Sequence, residues 1–193
     1  MARRKYEFQP DKTRLGLLHK LYLTKRQRRS ILRWGLFSLI VLVLSVIQDV
    51  ILCRATLFGG ATDLVPGVLM VICVLLGAEE GCVFTLICAA LFQFSGSAPG
   101  HYVIALIPCL GIGMALLRQI FLNKHASSNL LCSGVAIALY ELLLFIIGMV
   151  TGRTTLVRWA SFLATTVMTV GISFALYPVL SAIERIGGET WRD

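Results

Sequence analysis

Residues 31–53 read ILRWGLFSLIVLVLSVIQDVILC and form the clearest apolar run in the chain. At about 1.5 Å per residue, a helix of this length exceeds a hydrocarbon core of about 30 Å. Trp34, near the start of the run, suits the interface between lipid and water. The run therefore predicts a transmembrane helix, and with it an integral membrane protein.

The composition of the whole chain agrees with a membrane location. The 193 residues are 57% hydrophobic and 15% charged, and the mean hydropathy is +0.82. An ordinary soluble domain has roughly 25% charged residues. These values exclude a soluble domain, a disordered chain, a collagen and a disulfide-rich miniprotein. The six cysteines lie in or beside apolar stretches without a Cys-x-x-Cys pair, so we expect no metal site and no cofactor.

Five further apolar stretches follow, separated by turn or charged residues. They lie at about residues 64–78, 82–94, 101–117, 130–150 and 156–183. Together with the first run they predict an all-α bundle of six transmembrane helices over residues 31–186. The second and third stretches are short and separated by a short linker that holds Glu79 and Glu80, which indicates a helical hairpin covered by its neighbours. Thr62 and Asp63 are candidate caps of the second helix.

The positive charge is concentrated at the N-terminus. Residues 1–33 hold eleven basic and two acidic residues, although the net charge of the whole chain is only +8. Basic residues before an apolar span favour a cytoplasmic N-terminus, and six spans return the C-terminus to the same side. We therefore predict a basic tail over residues 1–30 and a short polar tail over residues 187–193. The basic tail forms either an amphipathic helix on anionic lipids or an unstructured segment, and no nucleic acid is expected.

Glu141 is the most costly residue in the predicted spans, because a carboxyl group near the middle of a membrane needs a partner, a proton or water. Its neighbour Tyr140 lies in the same span. The functional hypothesis is a relay for protons or substrate. The alternative is a hydrogen bond that packs one helix against another.

The sequence contains no recognisable catalytic centre. Glu79 and Glu80 resemble the Glu-Glu-x-x-x-Arg motif of intramembrane prenyl endopeptidases, but Phe84 occupies the position of the arginine, and His101 is the only histidine within reach. The chain also lacks a nucleophile elbow and a Gly-rich phosphate loop. We therefore predict that it is not an enzyme.

Small residues four positions apart are frequent in the later spans. Such pairs let membrane helices approach closely, either inside the bundle or against a partner protein. The pairs are Gly111 with Ala115, Gly134 with Ala138, Gly148 with Gly152, Ala160 with Ala164, and Gly171 with Ala175.

Short motifs mark the boundaries and centres of the predicted spans. They are Thr62-Asp63-Leu64-Val65, Gln93-Phe94-Ser95-Gly96-Ser97-Ala98-Pro99-Gly100, Tyr140-Glu141-Leu142-Leu143, Tyr177-Pro178 and Ile183-Glu184-Arg185. In order and spacing, residues 31–186 resemble the rod shape-determining protein MreD family. The family has a proline where Thr62 stands, and an acidic residue where Gln93 or Phe94 stands.

The resemblance implies a six-helix bundle similar to the substrate-binding subunits of energy-coupling-factor transporters. It also implies a non-enzymatic scaffold of the bacterial cell-elongation machinery in the plasma membrane. The nearest partner would be MreC, with MreB, RodA and a class B penicillin-binding transpeptidase as associates. The residues expected to bind a partner or pack helices are Asp63, Ser95, Gly96, Pro99, Gly100, Tyr140, Glu141, Gly148, Gly152, Tyr177 and Pro178.

The alternative is the substrate-binding subunit of a vitamin transporter, which would share the fold and the size. Those subunits dock through an Ala-x-x-x-Ala face on the first span, whereas residues 40–50 read IVLVLSVIQDV, with Ser45 the lone small residue. A ligand pocket also needs converging polar and aromatic groups. The predicted outer loops supply chiefly Asp63, His101 and Tyr102.

Overall fold

A computed structural model describes residues 25–52, 62–96, 98–121 and 126–186 of the chain. Within these ranges the regular structure is entirely helical, with no β-strand, which confirms the predicted all-α class. A π-helical segment, Gln48–Leu52, continues the first helix, and a 3-10 turn, Leu156–Arg158, precedes the last. The six α-helices are α1 Lys25–Ile47, α2 Leu64–Leu76, α3 Ala78–Phe94, α4 Val103–Phe121, α5 Ala126–Val150 and α6 Trp159–Ile186.

Among the described residues, four segments are long and apolar enough to cross a membrane: Arg28–Leu52, Val103–Ile120, Ala126–Val150 and Leu156–Ile186. They are compatible with a multi-pass membrane protein. The other two helices, α2 with 13 residues and α3 with 17, are shorter than a typical span of about 20 residues.

Some predicted features lie outside the described residues, and some boundaries differ from the prediction. Residues 1–24 of the basic tail and residues 187–193 are outside the described ranges. The first helix begins at Lys25, six residues before the apolar run. Glu79 and Glu80 were assigned to a linker, but they lie in the first turn of α3. Acidic residues are favourable there because the N-terminus of a helix carries partial positive charge.

The centre of the bundle is α2, which packs against each of the other five helices. All of its residues from Leu64 to Leu76 are buried. Its sequence, LVPGVLMVICVLL, has no charged side chain and no polar face. A helix that is apolar on every side must be kept from water, either by other helices or by lipid, and here the surrounding helices cover it.

The buried N-terminus of α2 needs partners for its backbone N–H groups, because the first turn of a helix has none of its own. The N–H of Val65 donates a hydrogen bond to the Oε1 of Gln48 at 2.8 Å. Pro66 has no N–H to satisfy, and the N–H of Gly67 donates to the carbonyl of Asp63 at 3.2 Å. Gln48 therefore links the end of the first helix to the start of α2.

The C-terminus of α2 is completed by a side chain from another helix. Arg118 of α4 donates from Nη1 to the carbonyl oxygen of Val74. The N–H of Gly77, whose φ is +85°, donates to the carbonyl of Cys73 at 3.0 Å. An arginine is doubly suitable here, since it donates a hydrogen bond and its charge opposes the partial negative charge of the helix end.

Charged side chains gather at this same end of the bundle, which we call the charged end. Arg33 of α1 is 4% exposed and forms an ion pair with Glu80 of α3. The charges of Arg118 and Arg33 also act on Glu184 near the end of α6. The charged end therefore brings together residues from α1, α3, α4 and α6.

The hairpin of α2 and α3 turns at Gly77 and is packed unusually closely. A Cβ added at Gly81 would lie 2.7 Å from the carbonyl oxygen of Cys73 and 3.0 Å from its Cα. Gly81 consequently lets the backbone of α3 touch the backbone of α2.

We expect Gly81→Ala to lower the free energy of unfolding by about 1–3 kcal/mol, because backbone atoms would have to move to accept the methyl group. The matched control is Gly113→Ala in α4, where an added Cβ meets nothing within 4 Å. Thermal unfolding of both variants in detergent measures the difference. Equal stability of the two variants would contradict the close packing of α2 on α3.

Candidate functional site

A group of polar side chains lies inside the bundle at the start of α2. The N–H of Asp63 donates to the Oγ1 of Thr169 at 3.2 Å. Thr169 lies ten residues into α6, or about 15 Å along its axis. The first residues of α2 therefore lie well along the bundle from the end at which α6 begins.

The register between α2 and α5 brings Asp63 and Glu141 to the same level. A Cβ added at Gly67 would lie 3.8 Å from Cδ1 of Ile137, so these two residues face each other. Asp63 precedes Gly67 by one helical turn, and Glu141 follows Ile137 by one turn. Because α2 and α5 run in opposite directions, the two carboxyl groups lie side by side, close enough for their charges to repel.

Hydroxyl groups from α5 and α6 complete what we call the carboxyl cluster. The Tyr140 hydroxyl lies within the electric field of both carboxyl groups and of Tyr102. Ser173 lies one turn beyond Thr169 on the same face of α6, and its Oγ would be 2.7 Å from a Cβ at Gly67. The carboxyl cluster consists of Asp63, Tyr140, Glu141, Thr169 and Ser173.

Several polar atoms of the carboxyl cluster have no hydrogen-bond partner among the described residues. They are the Tyr140 hydroxyl, Oε1 of Glu141 and Oγ of Ser173. Their side chains are 1%, 4% and 0% exposed. Each unpaired buried polar group costs about 1–3 kcal/mol. A bound species with several polar contacts would remove this cost.

The charge of the carboxyl cluster is also uncompensated within the described part of the chain. No basic side chain acts on either Asp63 or Glu141, while Arg33 and Arg118 lie at the charged end. The positive end of α2 favours one negative charge at its N-terminus. A second carboxylate beside it, on the buried side chain of Glu141, favours the uptake of a proton or another cation.

The predicted turn between the third and fourth helices supplies no member of the carboxyl cluster but borders it, because a Cβ added at Gly100 would collide with the ring of Tyr102, a neighbour of the Tyr140 hydroxyl. Gly96 has a φ of +79°, a conformation that favours glycine, and the Ser95 hydroxyl donates to the carbonyl of Phe92 at 2.7 Å. Pro99 and Gly100 follow in the bend that leads into α4. These four residues shape the connection between α3 and α4.

Four other predicted residues are also outside the carboxyl cluster. α5 ends at Val150, and Gly152, with a φ of +69°, lies in the turn that follows. Gly148 supplies the carbonyl that accepts from the N–H of Thr154 at 3.1 Å in this turn. Tyr177 is buried and accepts a hydrogen bond from the Nδ2 of Asn129 at 3.1 Å, whereas Pro178 is exposed.

Sequence reasoning found Asp63, Tyr140 and Glu141 but missed Thr169 and Ser173. Thr169 and Ser173 could have been identified from their spacing, because two hydroxyl residues four positions apart in an apolar helix lie on one face. Gln48, which anchors the start of α2, was visible only as a polar residue near the end of the first span.

We expect Thr169→Val to lower the free energy of unfolding by about 1–3 kcal/mol, because the buried N–H of Asp63 loses its acceptor. Thr166→Val is the matched control, since the Thr166 hydroxyl donates within its own helix, to the carbonyl of Phe162 at 3.0 Å. Thermal unfolding in detergent tests the pair. A loss of stability in Thr166→Val as large as in Thr169→Val would argue against a specific role for Thr169.

Comparisons with family models, with curated proteins and with solved structures find no match to this chain.

Proposed function

We propose that this chain is a non-enzymatic scaffold of the bacterial cell-elongation machinery that binds MreC within the plasma membrane. In this role it helps to regulate cell shape and peptidoglycan synthesis, with MreB, RodA and a class B penicillin-binding transpeptidase in the wider complex. The order of the sequence motifs supports the family, and the outward surface of α6 supports helix-to-helix binding.

The observation that carries the proposal is a stripe of small residues on the surface of α6. Gly171 and Ala175 are exposed, and a Cβ at Gly171 would meet nothing within 4 Å. Val167 and Val179, one turn before and one turn after, are 69% and 51% exposed. We call these four residues the α6 outer face. Its shallow centre would let a partner helix approach the α6 backbone closely, which is how many membrane helices associate.

The same proposal includes six membrane crossings, although only four helices in the described part of the chain have the length and hydropathy of ordinary spans. The short helix α2 needs no contact with lipid because it is buried on every side. The charged end, with Arg33 and Arg118, faces the cytoplasm in agreement with the positive-inside rule. Both chain termini then lie in the cytoplasm, and anionic lipids attract the basic N-terminal residues.

A transporter subunit is the second candidate, favoured by the unpaired polar atoms of the carboxyl cluster. A small ligand inside a helical bundle would use such groups for orientation. The apolar side chains of α2 fill the centre of the bundle, however. Its partners would be a pair of ATPases and a coupling membrane subunit, which differ from those of the scaffold.

We expect Gly171→Leu to reduce recovery of MreC by roughly tenfold, or ~1.4 kcal/mol of binding free energy. The reason is that a leucine fills the centre of the α6 outer face. The tagged chain would be crosslinked in its native membrane, purified and analysed by mass spectrometry. Gly113→Leu is the control, because Gly113 is an exposed helical glycine on α4 with equally open surroundings.

The results distinguish a scaffold from a transporter subunit, and binding at the α6 outer face from binding at the surface of α4. Equal recovery of MreC with both variants would contradict binding at the α6 outer face. Absence of MreC from the unsubstituted protein would contradict the scaffold itself. Recovery of paired ATPases and a coupling subunit would establish the transporter instead.

A further inference from the structure

We propose that the carboxyl cluster binds one monovalent metal cation, for which Na⁺ is the probe, between α2, α5 and α6. This site is separate from the proposed scaffold surface, because the carboxyl cluster is inside the bundle and the α6 outer face is outside.

The geometry brings the half-buried Asp63 and the buried Glu141 together. Asp63 is held through its N–H by Thr169 at 3.2 Å, and the contact of Gly67 with Ile137 sets Glu141 beside it. Glu141 is 4% exposed. The burial of Glu141 and the like charge of Asp63 beside it both disfavour ionisation of the pair unless a positive charge is close by.

The surrounding oxygen atoms favour a metal cation over a shared proton. A proton joins two oxygen atoms, so a proton shared by Asp63 and Glu141 would leave the hydroxyls of Tyr140 and Ser173 unpaired. A hard cation binds several oxygen ligands at once. Oγ1 of Thr62, next to Asp63, is a further buried oxygen without a described partner.

The charge of the site favours a monovalent cation. Ca²⁺ takes about 6–8 oxygen ligands, commonly including several carboxylates, whereas the described residues provide no group of three acidic or histidine side chains for a metal. One monovalent cation with two carboxylates leaves a single negative charge at the N-terminus of α2, where the helix dipole is favourable. A shared proton leaves the same charge, so Na⁺ and protons should compete.

The groups that face this pair come from several elements. Tyr140 on α5 is a titratable neighbour of the pair, and Tyr102, just before α4, is in turn a neighbour of the Tyr140 hydroxyl. Thr169 and Ser173 on α6 are neutral, and so is Gln48, which bonds the N–H of Val65 at the start of α2. None of these neighbours supplies a positive charge.

The test uses the full chain, purified in detergent, at mildly alkaline pH. Binding of radioactive sodium and the melting temperature are measured in sodium chloride and in choline chloride of equal ionic strength. We expect one bound Na⁺ per chain and a rise in Tm of roughly 5 °C at saturation. Acidification should displace the sodium.

Three variants test which residues bind the sodium ion. Glu141→Gln should abolish sodium binding and the sodium-dependent rise in Tm, and Tyr140→Phe should weaken the affinity by roughly tenfold through loss of one oxygen ligand. Glu79→Gln is the control, since it removes an exposed carboxylate at the charged end and should leave sodium binding unchanged. If Glu141→Gln does not fold, Tyr140→Phe still tests the assignment.

Four outcomes would overturn the proposal. The unsubstituted chain could bind no sodium, or choline chloride could stabilise it as much as sodium chloride does. Alternatively, acidification could raise Tm without any bound sodium to displace, which would mean that Asp63 and Glu141 only share a proton. Unchanged sodium affinity in Tyr140→Phe would place any bound ion elsewhere.

Discussion

The backbone groups at the two ends of α2 impose the main constraint on this bundle. A helix enclosed by other helices has no water at its termini, so every N–H and C=O there needs a partner from the protein. Gln48 and Pro66 solve the problem at the start of α2, and Arg118 and Gly77 solve it at the end. The positions of the first helix and of α4 around α2 follow from these bonds as much as from apolar packing.

The same constraint explains why a polar cluster exists in so apolar a chain. Since α2 begins among its neighbouring helices, the residue before it, Asp63, is half-buried between them. Its N–H then requires Thr169. The opposite direction of α5 brings Glu141 to the same level. The carboxyl cluster is thus a consequence of where α2 begins, whether or not an ion occupies it.

Local sequence patterns predicted the helices and some of the buried polar residues, but not which of these residues lie close together in the fold. Apolar runs identified the helices, Asp63 was a cap candidate from its place before an apolar stretch, and Glu141 stood out through the cost of burying a carboxyl group. That Asp63 faces Glu141 depends on the contact of Gly67 with Ile137, which is a tertiary register. Spacing alone also paired Gly148 with Gly152 on one helix face, because it does not reveal that α5 ends between them.

The placement of α2 has a consequence for how the protein is made. Its neighbours include α4, α5 and α6, all of which are synthesised later, and only Gly77 separates it from α3. During synthesis, α2 and α3 are therefore complete before three of the helices that cover α2, so part of its apolar surface lacks its final neighbours until α4, α5 and α6 have been made. The centre of the bundle is then among the last regions to reach its final surroundings, although it is among the first to be translated.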